Sequence, residues 1–219
     1  MAYKKRIAVL ASGFGSNLQA IIDQSQNLDI NGEIVLVFSN NENAFALQRA
    51  KKHGIKSVSF GPGQFGSRQQ YDKELLALLK NEKIDLIVMA GYLLLVGHEI
   101  IKEFSGRIIN VHPALLPSFK GIHGIKDAFD YGVKVTGVTV HFVEEELDTG
   151  PVISQEAVII SEDDTQETLE ENRGQVAGAK VRPQNGRTDC RGGLLRREPQ
   201  DVGRLPHRVR RQDSATAGH

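Results

Sequence analysis

From Lys5 to Tyr131 the chain alternates short apolar runs with longer amphipathic ones, and this alternation narrows the possible folds more than any other feature. KRIAVLA (Lys5 to Ala11), EIVLVFSN, KSVSF (Lys56 to Phe60), IDLIVMAG and the run from Ile108 to His112 each have the length and β-branched content of a buried parallel strand. Between them the spacing predicts helices from about Ser16, over Ala44 to His53, over Arg68 to Asn81 and near His98 to Phe104. The third carries Leu75, Leu76, Leu78 and Leu79 as its apolar face. Strands joined through helices form βαβ units, whose crossovers place helices on both faces of a mostly parallel sheet. A doubly wound α/β fold is therefore expected. After a helix from about Ile122 to Tyr131, TGVTVHFV alternates Val138, Val140 and Phe142 with Thr139 and His141, the period of a strand with two unlike faces. The polar loop EEELDTGP then feeds one more strand, so an antiparallel hairpin is expected beside the parallel strands.

The 219 residues, 40% of them hydrophobic, suffice for one sizeable core. A formal net charge of +0 supplies no overall field to recruit nucleic acid or a membrane surface. Cys190 is the single cysteine, which excludes an internal disulfide and a zinc site built on several thiolates and fits a reducing compartment. The apolar run Ile7 to Ala11 is too short for a secretory signal, and Ile84 to Val96, interrupted by Asp85 and Gly91, falls short of a membrane span. These features predict a soluble cytoplasmic protein.

The chemistry gathers at strand tips. In IINVHPALLPSFKG, Pro113 and Pro117 end the strand just after Asn110 and His112. Two residues apart, an amide and an imidazole share one side of the strand and can face one substrate atom, as a carbonyl under attack requires; alternatively they only satisfy a turn. At the first strand, SGFGSNLQAII is a glycine-rich turn opening a helix. Gly13 and Gly15 allow close backbone approach to an anion, and the N–H groups of Ser16 and Asn17 lie at the positive helix end. Leu18 replaces the third glycine of a dinucleotide turn and the second strand ends in Ser39 and Asn40 rather than an acid, which favours a phosphate monoester over NAD. A turn that merely connects strand to helix remains the alternative. Tyr92 to Val96 reads either as a buried connection or as an apolar wall for a flat ligand. Asp148, before Thr149 and Gly150, has the position of a turn former, and His141 that of a strand histidine with a local partner. His112, His123, His141 and Asp148 lack the clustered spacing of a metal site, so no metal is expected.

Taken together in this order, Gly15, Ser16 and Asn17, then INVHPALLPSFKG, then HFVEEELDTGPVI closely resemble the phosphoribosylglycinamide formyltransferase family, from about Arg6 to about Glu171. The resemblance implies formyl transfer from 10-formyltetrahydrofolate to the amino group of glycinamide ribonucleotide in purine synthesis, without a metal, by a monomer or homodimer. It further implies that Gly15, Ser16 and Asn17 bind the nucleotide phosphate. Arg68, Leu93, Leu94, Leu95, Val96 and Asn110 would contact folate. Asn110 and His112 would be catalytic, His112 as proton donor, with Asp148 raising the imidazole's pKa. Formyltetrahydrofolate deformylase shares an Asn, His and Asp arrangement with water as acceptor, but the retained GSNLQ and the lack of a preceding regulatory domain argue against it. Methionyl-tRNA formyltransferase shares the central loop but usually carries a C-terminal RNA-binding domain.

Two departures stand out. Leu94 occupies the position where the family usually has arginine. Beyond Glu171 the residue usage changes: residues 172–219 hold 10 Arg, 1 Lys and no Phe, Tyr or Trp, against 4 Arg and 12 Lys in residues 1–171. Asp164 to Glu167 predicts a capping box opening a last helix, but the family's apolar continuation, its substrate-contacting glutamate and its Tyr-Pro ending are missing. We therefore expect a formyltransferase domain at 1–171 and, at 172–219, an aberrant Arg-rich tail that is disordered or read out of frame. A basic RNA-binding tail is the rival reading, though it lacks aromatic stacking groups. A folate- or nucleotide-binding protein inactive through loss of the helix is the rival for the whole chain.

Overall fold

The computed structural model describes residues 4–26 and 32–169; the tail expected at 172–219 lies outside them. In chain order the elements are β1 (Lys5–Leu10), α1 (Ser16–Gln26), β2 (Gly32–Ser39), α2 (Phe45–Lys52), β3 (Lys56–Ser59), α3 (Arg68–Asn81), β4 (Leu86–Met89), α4 (His98–Glu103), β5 (Ile108–His112), α5 (Gly124–Tyr131), β6 (Val135–Phe142) and β7 (Val152–Ile159). One sheet of seven strands has the order β3-β2-β1-β4-β5-β6-β7. β1 to β5 are parallel, β6 runs antiparallel to β5, and β7 runs antiparallel to β6. The expected doubly wound sheet with an added antiparallel hairpin is the observed architecture.

Strand alternation sorts the core into two layers. Ile7 and Val9 of β1, Val37 of β2 and Val88 of β4 meet Leu18, Ile21 and Ile22 of α1 and Ala46 and Leu47 of α2. Their neighbours Ala8, Leu10, Leu36, Phe38, Ile87 and Met89 meet Tyr71, Leu75 and Leu79 of α3 and Ile100 of α4. Residues of opposite parity therefore bury opposite faces, which is why these strands read as continuous apolar runs.

Several element ends differ from expectation. β1 and β3 stop one residue early, although the N–H groups of Ala11 and Phe60 still donate to Phe38 and Ser39. α2 lacks Ala44 and His53, which serve as its caps, and α5 begins only at Gly124. The last cap belongs to Thr165 rather than Asp164. The Thr168 N–H donates to Thr165 Oγ1 at 3.3 Å and the Thr165 N–H donates to Thr168 Oγ1 at 3.0 Å, opening a helical turn at 166–169. Asp164 instead accepts from the Ser161 N–H at 2.8 Å and the Thr168 hydroxyl at 2.8 Å.

The topology positions the chemistry. From β1 the chain steps outward through β2 and β3, then returns to β4 on the other side of β1, creating a crevice at the carboxyl end of β1. β5 is the next strand beyond β4, about 10 Å from β1 at the usual strand spacing. The glycine turn, the segment after β4 and the tip of β5 therefore share one edge of the sheet. Leu79, fully buried against the α3 face, reports on this frame: Leu79→Ala is expected to lower the unfolding free energy by about 2–5 kcal/mol in urea denaturation.

Candidate active site

The glycine turn is fastened to the helix after β2 as well as to its own. Gly15 has φ +74°, and a Cβ there would lie 2.8 Å from the Ala46 Cβ, so a side chain would both strain the turn and push α2 away. The Gly13 carbonyl accepts from the Ala46 N–H at 3.1 Å. Phe14 stacks on Phe45 with ring centroids 5.1 Å apart. The Arg49 guanidinium lies 4.5 and 4.8 Å from those two rings and donates from Nε to the Phe14 carbonyl at 3.0 Å. Ser16 and Asn17 open α1, where helix N–H groups lack intrahelical partners.

The segment after β4 is two-sided. Leu94 and Val96 pack against the α3-side core, whereas Leu93 and Leu95 are 54% and 62% exposed. The expectation of a buried connection describes its inner side, and its outer side leaves two leucines in solvent. Beneath it, the hydroxyls of Tyr92 and Tyr71 lie 2.5 Å apart, and burial pushes both phenols to higher pKa. Arg68 donates from Nη2 to the Leu95 carbonyl and from Nε to Asp72 Oδ1 at 3.0 Å, which brings it to this segment.

At the tip of β5 three expected residues converge. Asp148 Oδ2 lies 3.5 Å from His112 Nδ1, and Asp148 Oδ1 lies 3.5 Å from His141 Nε2. Asn110 Nδ2 is 3.3 Å from the same His141 nitrogen. His141 is therefore more than a strand histidine with a local partner. Its Nδ1 does donate locally, to the Phe142 carbonyl at 2.8 Å, but its other nitrogen lies between the Asn110 amide and the Asp148 carboxylate. The cause is register: antiparallel pairing sets Asn110 opposite His141, and sequence periodicity carries no information about pairing.

Hydrogen-bonding demand fixes one proton on His112. Nε2 faces the Phe119 carbonyl at 2.9 Å, an acceptor, so it carries a proton. Nδ1 faces a carboxylate oxygen, which a bare nitrogen lone pair would repel. A second proton on Nδ1 would satisfy that neighbour as well, so the geometry leaves room for a charged ring. Burial raises the pKa of Asp148, but the bond from His141, the Gly121 N–H at 2.7 Å and the charges of both imidazoles outweigh it, leaving the carboxyl below its ordinary range.

A family model described as formyl transferase matches residues 5–184. The chain belongs to the formyl transferase family. Phosphoribosylglycinamide formyltransferase of Bacillus subtilis is 39% identical over 167 residues, covering 76% of this chain and 86% of that protein. The trifunctional purine biosynthetic protein adenosine-3 of Drosophila melanogaster is 45% identical over 168 residues, 76% of this chain but only 12% of that much longer protein. Among solved structures, phosphoribosylglycinamide formyltransferase from Bacillus halodurans matches with TM-score 0.77 and 42% identity over 80% of this chain and 91% of that one. Glycinamide ribonucleotide transformylase 1 from Symbiobacterium toebii matches with TM-score 0.79 and 38% identity over 83% and 85%.

In this formyl transferase chain the loop after β5 is held by more than its prolines. Buried Thr139, paired with His112 in the ladder, donates to the Ala114 carbonyl at 2.7 Å and accepts from the Leu116 N–H at 3.1 Å. Gln155 of β7 donates to the Leu116 carbonyl at 2.8 Å. Among the described residues no group of three or more His, Cys, Asp or Glu could hold a metal ion, and no helix is long and apolar enough to cross a membrane.

The lowered pKa of Asp148 has a signed consequence. Its ionised form stabilises the fold above the unfolded value of about 3.9, and that contribution is lost as pH falls through this range toward the depressed folded value. Between about pH 5 and about pH 2 the wild-type unfolding free energy is expected to drop more steeply than that of Asp148→Asn; equal slopes in urea titrations would contradict the pairing.

Proposed function

We propose that this chain transfers the formyl group of 10-formyltetrahydrofolate to the amino group of glycinamide ribonucleotide, a step of purine synthesis in the cytoplasm. The observation that carries the reading is the ionised Asp148 shared by His112 and His141 beside Asn110, on the sheet edge that also bears the glycine turn.

Attack of the amine nitrogen on the formyl carbon moves the carbonyl electron pair onto oxygen. Asn110 Nδ2 and protonated His112 Nε2 are donors suited to that oxygen, and fixed donors gain most where charge develops. Asp148 favours the charged imidazole. As the carbon–nitrogen bond to the folate breaks, the proton shed by the amine ends on the departing folate nitrogen, with His112 as the acid nearest the reaction. Gly15, Ser16 and Asn17 would hold the nucleotide phosphate. Leu93 and Leu95 offer exposed apolar surface to the folate ring, with Arg68 beside them; Leu94, packed inward, offers none of the arginine contact usual in the family. The domain assigned to this chemistry is 1–171. For 172–219 we hold to an out-of-frame reading, and translation of the coding DNA in its other frames is expected to reveal an apolar helix.

The full chain, assayed with both substrates, is expected to yield formylated product and tetrahydrofolate, and His112→Ala to lower kcat by about 10²–10⁴-fold. Formate release without glycinamide ribonucleotide would instead favour a hydrolase, and binding of both substrates with no turnover a binding protein. Asp148→Asn is expected to lower kcat more than it raises KM and to move the alkaline limb of the rate profile to lower pH, because the imidazolium loses its counter-charge. An unmoved limb would remove Asp148 from its role.

A further inference from the structure

We propose that Ser12 is a positioning residue through which the nucleotide turn and the folate wall are coupled; the inference rests on the functional reading above. Ser12 stands at the end of β1, in the crevice between β2 and β4, and is 6% exposed. Its hydroxyl donates to Asn40 Oδ1 at 2.5 Å, at the tip of β2, and accepts from the Leu93 N–H at 2.8 Å, where the exposed apolar strip begins. Its own N–H donates to the Gly91 carbonyl at 2.9 Å. The next residue, Gly13, starts the turn that Ala46 and Gly15 hold against α2.

A serine hydroxyl has one proton and two lone pairs. Here the proton goes to β2 and a lone pair receives the backbone of the segment after β4, residues 28 and 81 positions away in sequence. The Leu93 peptide therefore takes its orientation from the same side chain that begins the anion turn. A phosphate seated on the turn fixes Ser12, and Ser12 fixes the peptide that presents Leu93. The second ligand then meets a wall already ordered, so each ligand tightens the other, by the same factor in both directions.

The test is equilibrium binding to the full chain by calorimetry, with glycinamide ribonucleotide and with tetrahydrofolate, which lacks the formyl group and cannot turn over. In the wild-type chain each ligand is expected to tighten the other by about fivefold or more. Ser12→Ala is expected to bring that factor to about one. Asn40→Ala, which removes the hydroxyl's acceptor while leaving the buried serine in place, is expected to do the same and keeps the test open should Ser12→Ala not fold. Asn40→Asp preserves an acceptor and is expected to keep the coupling, a rescue that mere loss of stability would not produce. Independent binding in the wild-type chain, or an unchanged factor in both Ser12→Ala and Asn40→Ala, overturns the proposal. Failure of the wild-type chain to bind either ligand alone overturns the functional reading and this one with it, and is seen before any variant is measured.

Discussion

A single buried carboxylate holds the site together. Asp148 reaches His112 on β5, His141 on β6 and the N–H of Gly121 in the loop between β5 and α5, so one side chain joins three segments. Burying an unpaired carboxylate is strongly unfavourable, and this one is retained because each oxygen has a donor. Its backbone lies at φ +52°, a conformation unfavourable for a residue with a Cβ, which the same contacts must offset. Tight packing brings it there: a Cβ on Gly150 would lie 1.9 Å from the Phe142 carbonyl, so the β6–β7 loop folds back on β6 only because position 150 has no side chain.

The parts of this molecule that were readable in the sequence are those governed by neighbours along the chain. Periodicity located the strands and helices within a residue or two, and the prolines after His112 marked where β5 ends with Asn110 and His112 at its tip. The start of α1 at Ser16 followed from the glycine turn. Asp148 was another matter: its residue type and context read as a turn former, and only resemblance to a family gave it a role. His141, Thr139, Ser12 and Arg49 each reach at least one partner 25 or more positions distant, and sheet register decides which strand residues meet. The spacing of Phe45 and Arg49, four residues apart on α2, was the one local sign that both could face Phe14.

A common design links the loops at the carboxyl edge. Each is irregular, yet each is tied by a side chain from a different element: the turn after β1 by Arg49, the segment after β4 by Ser12 and Arg68, and the loop after β5 by Thr139 and Gln155. Two-substrate transfer depends on placing both reactants accurately, and strands alone fix only the base of each loop. Cross-links from neighbouring elements extend that order to the loop tips.

The contact between His112 Nε2 and the Phe119 carbonyl has a consequence for how the resting molecule discriminates. The main chain, bent to φ +52° at Phe119, already gives the Nε2–H of His112 a neutral oxygen to bond. A ligand oxygen arriving there replaces one carbonyl with another, an even exchange so long as both are uncharged. In the proposed reaction the balance would tip only once the newcomer becomes anionic, so the backbone oxygen would act as a threshold that rejects ground-state competitors and yields to an oxyanion.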